Sequence, residues 1–511
     1  MAPCRSAARR APSTRPAGAT MSEREIRYVH HREQPVDILP SDAIAAIKDA
    51  TAEVLWRTGI QVRSESLLKQ LGAAGAEIDT EDERARFPKD VQAGALETVP
   101  HDLPLRSREP GLDLILDGTR GYLGVDGNAA EVVDLDTDLR RASRKEDVAA
   151  GTLIGDALPQ IGYVWQPAVS REMPVPSEPL HNLEANLNNT GKHIVMMTAV
   201  TPEQAAASAE MAAVAVGGEQ ALRDQPILSA FQCSVSPLVY DGGPLAAAVE
   251  FAKADVPSGF MVMPILGATA PITRAGTMVV NNAEVIGGVI AHQLLAPGAR
   301  TFYASAVTTM DLWSGAANCG GPEDLVFQMA NAQLARAYGL KSMVGTFATG
   351  AKTSDWQGGA ENGMSGFASW IAGVDMASGA GLLYAARVFS AAQLVLDAEL
   401  WDLICSTSEG IRSWDAESLA VDVIDAVKPG GHFLDQEHTL THMREVLMSK
   451  MFDRGNWEDW EANGRPLPKT KAVARAKELL ESHTPYPLPD GAAEQIRGIV
   501  ERFEKEHVEA A

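Results

Sequence analysis

Two rhythms of apolar and polar positions divide this chain. From about residue 151, short unbroken apolar runs alternate with longer stretches of helical period. The runs are Ile161–Gln166, His193–Thr198, Ile227–Gln232, Gly259–Pro264, Thr301–Ala306, Ser342–Phe347 and Asp375–Gly381. Continuous rather than alternating hydrophobicity marks strands covered on both faces. The intervening spacing predicts helices over Pro202–Val216, Pro244–Ala254, Ala275–Leu295, Pro322–Tyr338, Gly358–Ala372 and Ala391–Ser406. So even a series argues for a (β/α)8 TIM-type barrel over an open doubly wound sheet. No eighth strand stands out in this stretch.

The flanks differ. Residues 21–150 read as an N-terminal α+β region, with helices over Ala43–Trp56, Glu65–Ala74 and Pro88–Val99. Strand-like pieces fall at Leu112–Leu116 and Tyr122–Gly124, and Asp117-Gly118 and Asp126-Gly127 read as hairpin turns. The barrel is expected over 151–412. Residues 413–511 form a charged helical extension with helices at Val421–Val427, His438–Met451, Lys469–Ser482 and Ala492–His507. Residues 1–20 carry four arginines, no acid and no apolar h-region, so they are not a secretory signal. Their composition has a transit-peptide flavour, but a disordered extension, or translation starting at Met21 rather than Met1, fits better.

With 511 residues, 45% of them apolar, and a mean hydropathy of −0.08, the chain has an ordinary globular composition. The net charge of −23 argues against nucleic acid and anionic membrane as partners. No window reaches the length of a membrane-spanning helix. The four cysteines (Cys4, Cys233, Cys319, Cys405) have no C-x-x-C spacing and read as reduced cytoplasmic thiols. No zinc signature, P-loop or dinucleotide fingerprint is present, so no directly bound metal is expected.

Several phrases carry a family resemblance. They are Thr58-Gly59-Ile60-Gln61-Val62, Asn188-Asn189-Thr190-Gly191-Lys192, Gly267-Ala268-Thr269-Ala270-Pro271-Ile272-Thr273, Asn282-Ala283-Glu284, Ser354-Asp355-Trp356-Gln357-Gly358-Gly359 and Gly430-Gly431-His432-Phe433. In order and spacing the chain after Met21 resembles the trimethylamine methyltransferase (MttB-like) superfamily. The resemblance implies a barrel that moves a methyl group from a methylated amine to cob(I)alamin (the cobalamin cofactor) on a separate corrinoid protein. The corrinoid-binding D-x-H-x-x-G pattern is absent here, so that partner would deliver the cofactor. Family members acting on trimethylamine contain pyrrolysine, whereas this chain has standard residues only. It therefore resembles the branch that demethylates quaternary amines such as glycine betaine. Proline betaine, carnitine, a choline derivative or a dimethylsulfonio compound remain alternative donors, and a non-catalytic quaternary-amine-binding barrel is a further alternative. A homo-oligomer is expected.

A quaternary ammonium has no N–H, so aromatic faces hold it best. Trp165, Phe231, Tyr303, Trp313, Phe347, Trp356 and Tyr384 lie on strands or just beyond them, and each also reads as a packing aromatic. Asp311, Asp355 and Glu361 are the candidate catalytic carboxylates, with helix caps as the alternative. Gln357, Thr269 and Glu284 complete the candidate substrate contacts, although Glu284, in an apolar helix with Asn282, also fits a supporting role. His181, Lys192 and the backbone of the Gly267–Thr273 turn are candidates for a substrate carboxylate, with structural roles as the alternative.

Overall fold

The structure, a computed structural model, describes residues 24–197 and 199–509. Eight parallel strands close on themselves: β1 (Arg120–Val125), β2 (Ile161–Trp165), β3 (His193–Met197), β4 (Leu228–Cys233), β5 (Ser258–Val262), β6 (Tyr303–Ser305), β7 (Ser342–Gly345) and β8 (Met376–Ala380). Closure depends on β1, whose Leu123 lies opposite Ile161 of β2 and Ala377 of β8. The eighth strand thus lies inside the stretch expected to be a separate α+β region, and the barrel begins at Arg120 rather than at 151. Physically, a six-residue strand flanked by Asp-Gly turns looks like a hairpin when its two neighbours are distant in sequence.

A helix follows each strand, from Lys145–Ala157 after β1 to Ala391–Ser408 after β8. Their starts and stops are local. Thr201 accepts the Gln204 N–H while the Gln204 side chain accepts the Thr201 N–H; Pro202 opens the helix and left-handed Gly217 ends it. Asp355 caps Trp356–Ala372 by accepting the Gln357 N–H at 2.9 Å.

One end of the barrel is plugged. Leu103, Leu105 and Leu114 pack with Tyr122, Phe302, Met343 and Met376 at the starts of the strands, and Leu105 bridges Leu114. The C-terminal ends of the strands stay open, which is where barrel chemistry is placed. Two small sheets wall that end. One joins Ile265–Leu266, Thr308–Met310 and Ala317–Asn318; the other joins Leu382–Leu383, Val388–Phe389, Glu131–Val133 and Arg140–Ala142.

Residues before β1 supply helix Ser41–Arg57, packed on Arg274–Leu295, and a sheet centred on Ile60–Arg63. In the C-terminal extension, Pro468–Ser482 and Ala492–His507 pack on barrel helices. The helix expected over His438–Met451 stops at His442 and continues only as a short 3-10 turn. It leaves Leu440, Met443 and Val446 exposed, so no packed face sustains it. No described helix is long and apolar enough to cross a membrane.

Buried Asp397 ties three elements together. It accepts from Asn362 Nδ2, Gln393 Nε2 and the Gly381 N–H, each at 2.8 Å. Asp397→Ala strands three donors and is expected to cost about 3 kcal/mol, read as a lower urea midpoint at unchanged slope.

Candidate functional site at the barrel mouth

A cavity of about 240 Å³ lies at the C-terminal end of the barrel. Its walls are mostly apolar: Trp165, Met261, Met263, Ile265, Val307, Leu382 and several alanines. Two carboxylates reach it, Asp126 and Asp324, with the Cys319 thiol also in the wall.

Asp126 follows directly on β1. It can sit there because Gly127 has no side chain: a Cβ at Gly127 would lie 1.4 Å from the Gln166 carbonyl oxygen on the neighbouring strand's exit. The Gly127 N–H donates to Asp126 Oδ1 at 2.6 Å. Burial nevertheless pushes the carboxyl up to about 7.

Asp324 comes from the first turn of helix Pro322–Ala337. It accepts the Gly320 N–H at 2.7 Å, and its oxygens lie 3.0 and 3.2 Å from Thr308 Oγ1. Thr308 Oγ1 is also 3.0 Å from the Asn318 carbonyl oxygen. A hydroxyl has one proton to give. The set closes when Asp324 carries its own proton and donates to Thr308, which donates to Asn318. Burial pushes Asp324 up to about 7, helped by the charges of Glu323 and Glu361. Cys319 is pushed up to about 12, first by burial and then by Asp324, so it remains a thiol.

Two side chains of the wall carry a buried polar atom without a partner. Trp165, on the end of β2, is 5% exposed; its ring meets Phe231 edge-on at 4.4 Å, while its Nε1–H makes no hydrogen bond. Gln328, one turn beyond Asp324 on the same helix face, is also 5% exposed and has an unpaired Oε1. No Arg, Lys or His lines this cavity among the described residues.

The other candidates lie elsewhere. Asp311 accepts the Trp313 and Ser314 N–H groups of its own turn, and Asp355 caps a helix; neither lines the cavity. Glu361 stands behind the wall, accepting the Gly350 N–H at 2.9 Å, the Thr349 hydroxyl, and Gln357 Nε2 at 2.9 Å. Tyr303 turns outward, its hydroxyl held by Asn281, Asn282 and Asn331. Phe347 also turns outward, against Trp401. Glu284 accepts from Ser234 Oγ, Ser236 Oγ and the Leu238 N–H, fastening the loop after β4. Asn282 binds Thr51 and Tyr338. Thr269 Oγ1 accepts the Ile265 N–H within its own turn. Lys352 and Arg387 lie on the Tyr384 ring at 4.9 and 5.4 Å. Trp313 and Trp356 are 99% and 87% exposed on the rim. Lys192 donates to the Gly155 and Leu158 carbonyls near the plugged end, and His181 binds Glu504.

Of the expected site residues, only Trp165 lines the cavity, with Phe231 behind it. Asp126 and Asp324 were legible as an Asp-Gly turn and a first-turn helix acid. Asp126 directly follows a barrel strand and Asp324 opens the helix that follows the β6 loop at the same end, and that placement is the signal that marks a barrel mouth.

Such a fold and site define a parallel barrel with a small, apolar, acid-bearing mouth. The chain belongs to the trimethylamine methyltransferase (MTTB) family, whose model matches residues 5–507. It is 34% identical to the trimethylamine methyltransferase MttB of Desulfitobacterium hafniense, over 91% of this chain and 94% of that protein. It is 28% identical to the glycine betaine methyltransferase of the same species, over 92% and 98%. The Methanosarcina barkeri monomethylamine methyltransferase MtmB superposes with a TM-score of 0.46 at 13% identity, covering 86% of this chain and 92% of that one. Among the described residues, no group of three or more His, Cys, Asp or Glu is placed to hold a metal ion.

The two carboxyls predict a pH signature. Each titrates near 7 folded, against an ordinary value of 3.8. The folded state therefore holds the extra protons between these values, and their contribution to stability is lost as pH rises through about 7. Asp126→Asn and Asp324→Asn are expected to gain stability relative to the parent chain between about pH 5 and pH 8, measured by urea unfolding at both pH values. An unchanged difference would mean that neither group titrates there.

Proposed function

We propose that this chain transfers a methyl group from a methylated ammonium compound to cob(I)alamin carried by a separate corrinoid protein. The observation that carries the reading is the cavity at the barrel mouth, with its indole wall and two carboxyls, in a chain of the methyltransferase family. At about 240 Å³ it is below the ~300–1,000 Å³ of sites for drug-sized ligands. It suits a small ammonium compound and is too small for a corrin ring, so the cofactor has to be presented from outside.

Cob(I)alamin, when docked, supplies a nucleophile strong enough that no side chain need be one. The methyl carbon leaves nitrogen, the bonding pair stays on nitrogen, and a neutral amine departs without a proton. The chain's own work is to hold the ammonium against Trp165, aim one methyl at the mouth and exclude water. A well-placed ring contributes roughly 0.5–2 kcal/mol to such a cation. Trp165→Leu is expected to lower kcat/KM about 10-fold, measured by the visible absorbance change of cob(I)alamin under anaerobic reduction. Turnover with no methylated amine at all would refute the reading; binding without turnover would favour a binding barrel.

The rim supports a docked partner. Met263, Ile272, Leu312, Trp313, Trp356 and Met364 are exposed on the loops and helices that follow β5, β6 and β7. Large exposed aromatics beside a cavity are characteristic of interface anchors. Trp313→Ala and Trp356→Ala are expected to raise KM for the corrinoid protein about 10-fold, equivalent to ~1.4 kcal/mol each. Transfer to free cob(I)alamin should be unchanged, and a parallel loss there would place these rings in the substrate site instead.

A further inference from the structure

We infer that the arm between residues 411 and 450 is the surface on which a second copy of this chain docks, arm against arm. The inference is independent of the methyl-transfer reading and concerns the end of the barrel away from the mouth.

The arm follows helix Ala391–Ser408, which runs from the mouth to the plugged end. It holds four short helical pieces, Ala416–Leu419, Val421–Val427, Glu437–His442 and Met443–Glu445, yet none of its residues is buried. Helices this short are marginal alone and draw their stability from packing an apolar face. Eleven of the twenty-seven large apolar side chains exposed among the described residues fall between Ile411 and Met448. Trp414, Leu434, Leu440 and Met448 are each more than two-thirds exposed. The backbone is strained as well. Lys428 takes φ +65° and ψ +165°, a conformation that favours glycine and persists only where surroundings enforce it.

For a single copy the arm is inside out. The groove between it and the barrel is lined by Arg27, Glu409, Arg412, His438, His442 and Glu445. Arg27 lies 3.5 Å from Glu409, and His442 Nδ1 lies 2.7 Å from Glu445 Oε1. The polar side thus faces the arm's own barrel, and the apolar side faces solvent.

The exposed area identifies the occupant. At roughly 100 Å² for each side chain, the eleven present on the order of 1,000 Å², and a stable interface takes about 800 Å² from each partner. So apolar a surface resembles a core cut in half, which belongs to a permanent partner. A second copy is always present, and a two-fold contact lets one patch cover itself. Each copy carries a net charge of −23, so association has to be apolar in origin, as this patch is. A protein docked at the mouth sits at the other end. Arg27, beside the arm, donates its N–H to the Pro159 carbonyl just ahead of β2.

The test is sedimentation velocity of the full chain across a dilution series, with amide hydrogen exchange on the same samples. The parent is expected to sediment as a dimer or a multiple of dimers, with the amides of Val421–Val427 and Glu437–His442 protected. Leu434→Asp combined with Leu440→Asp is expected to weaken self-association about 10-fold or more and to remove that protection. Should the double variant not fold, Trp414→Ala reads the same loss. A monomer at every concentration overturns the inference, and so does an oligomer that these substitutions leave intact. Arm amides that exchange freely within the oligomer overturn it too. Protection that arises only when the corrinoid protein is added would overturn it and give the arm to that partner.

Discussion

Everything at the mouth depends on how β1 closes the barrel. Leu123 is paired on one side to Ile161 and on the other to Ala377, so the strand has no free edge and no freedom of register. A one-residue slip would turn Asp126 from the cavity wall to the opposite face. The register is defended by sterics as well as hydrogen bonds, because the Gln166 carbonyl occupies the space a Cβ at Gly127 would need. On the far side, Gly379 adopts a φ of +113°, and the β1–β8 register shifts between Ala377 and Ala380. That bulge lets β8 bend over the mouth, and its first helix partner, Asp397, holds the following Gly381 N–H.

The price of this arrangement is two acids in an apolar wall with no cation beside them. A buried carboxyl without a counter-charge resolves the conflict by keeping its proton. The Thr308 hydroxyl, caught between Asp324 and the Asn318 carbonyl, fits that protonated form. The wall is therefore responsive. With each carboxyl pushed up to about 7, a small change in the local charge shifts it between its two forms. The general negative charge of the chain adds a long-range bias towards cations.

Much of the architecture was legible in the apolar rhythm. The seven strands and six helices expected between 161 and 408 form close to their expected bounds, because a doubly covered strand shows itself as a continuous apolar run. β1 was not placed in the barrel, since its partners lie about forty and two hundred and fifty residues away (Ile161 and Ala377), and nothing local distinguishes it from a hairpin. The site was less legible for a related reason. Polar loop residues such as Asp311, Asp355 and Thr269 look chemical in sequence, but loops need hydrogen bonds for their own turns, and these side chains supply them. Aromatics on strands split between lumen and helix layer according to the two-residue alternation: Trp165 and Phe231 face in, while Tyr303 and Phe347 face out. A closed barrel hides which parity is which until the register is known.

The protonated wall also bears on rate. In the proposed methyl transfer the substrate would begin as a cation and end as a neutral amine, so its positive charge would fade as the transition state is approached. A fixed, fully ionised acid pair would stabilise the bound substrate more than the transition state and would slow the step. Acids pushed up to about 7 would hold such a cation more loosely than surface carboxylates would. The indole behaves similarly, since its attraction to the ammonium is modest and falls with the charge. In the proposed reaction, a mouth built from Trp165, Met261, Met263 and two such acids would orient a cation without trapping it.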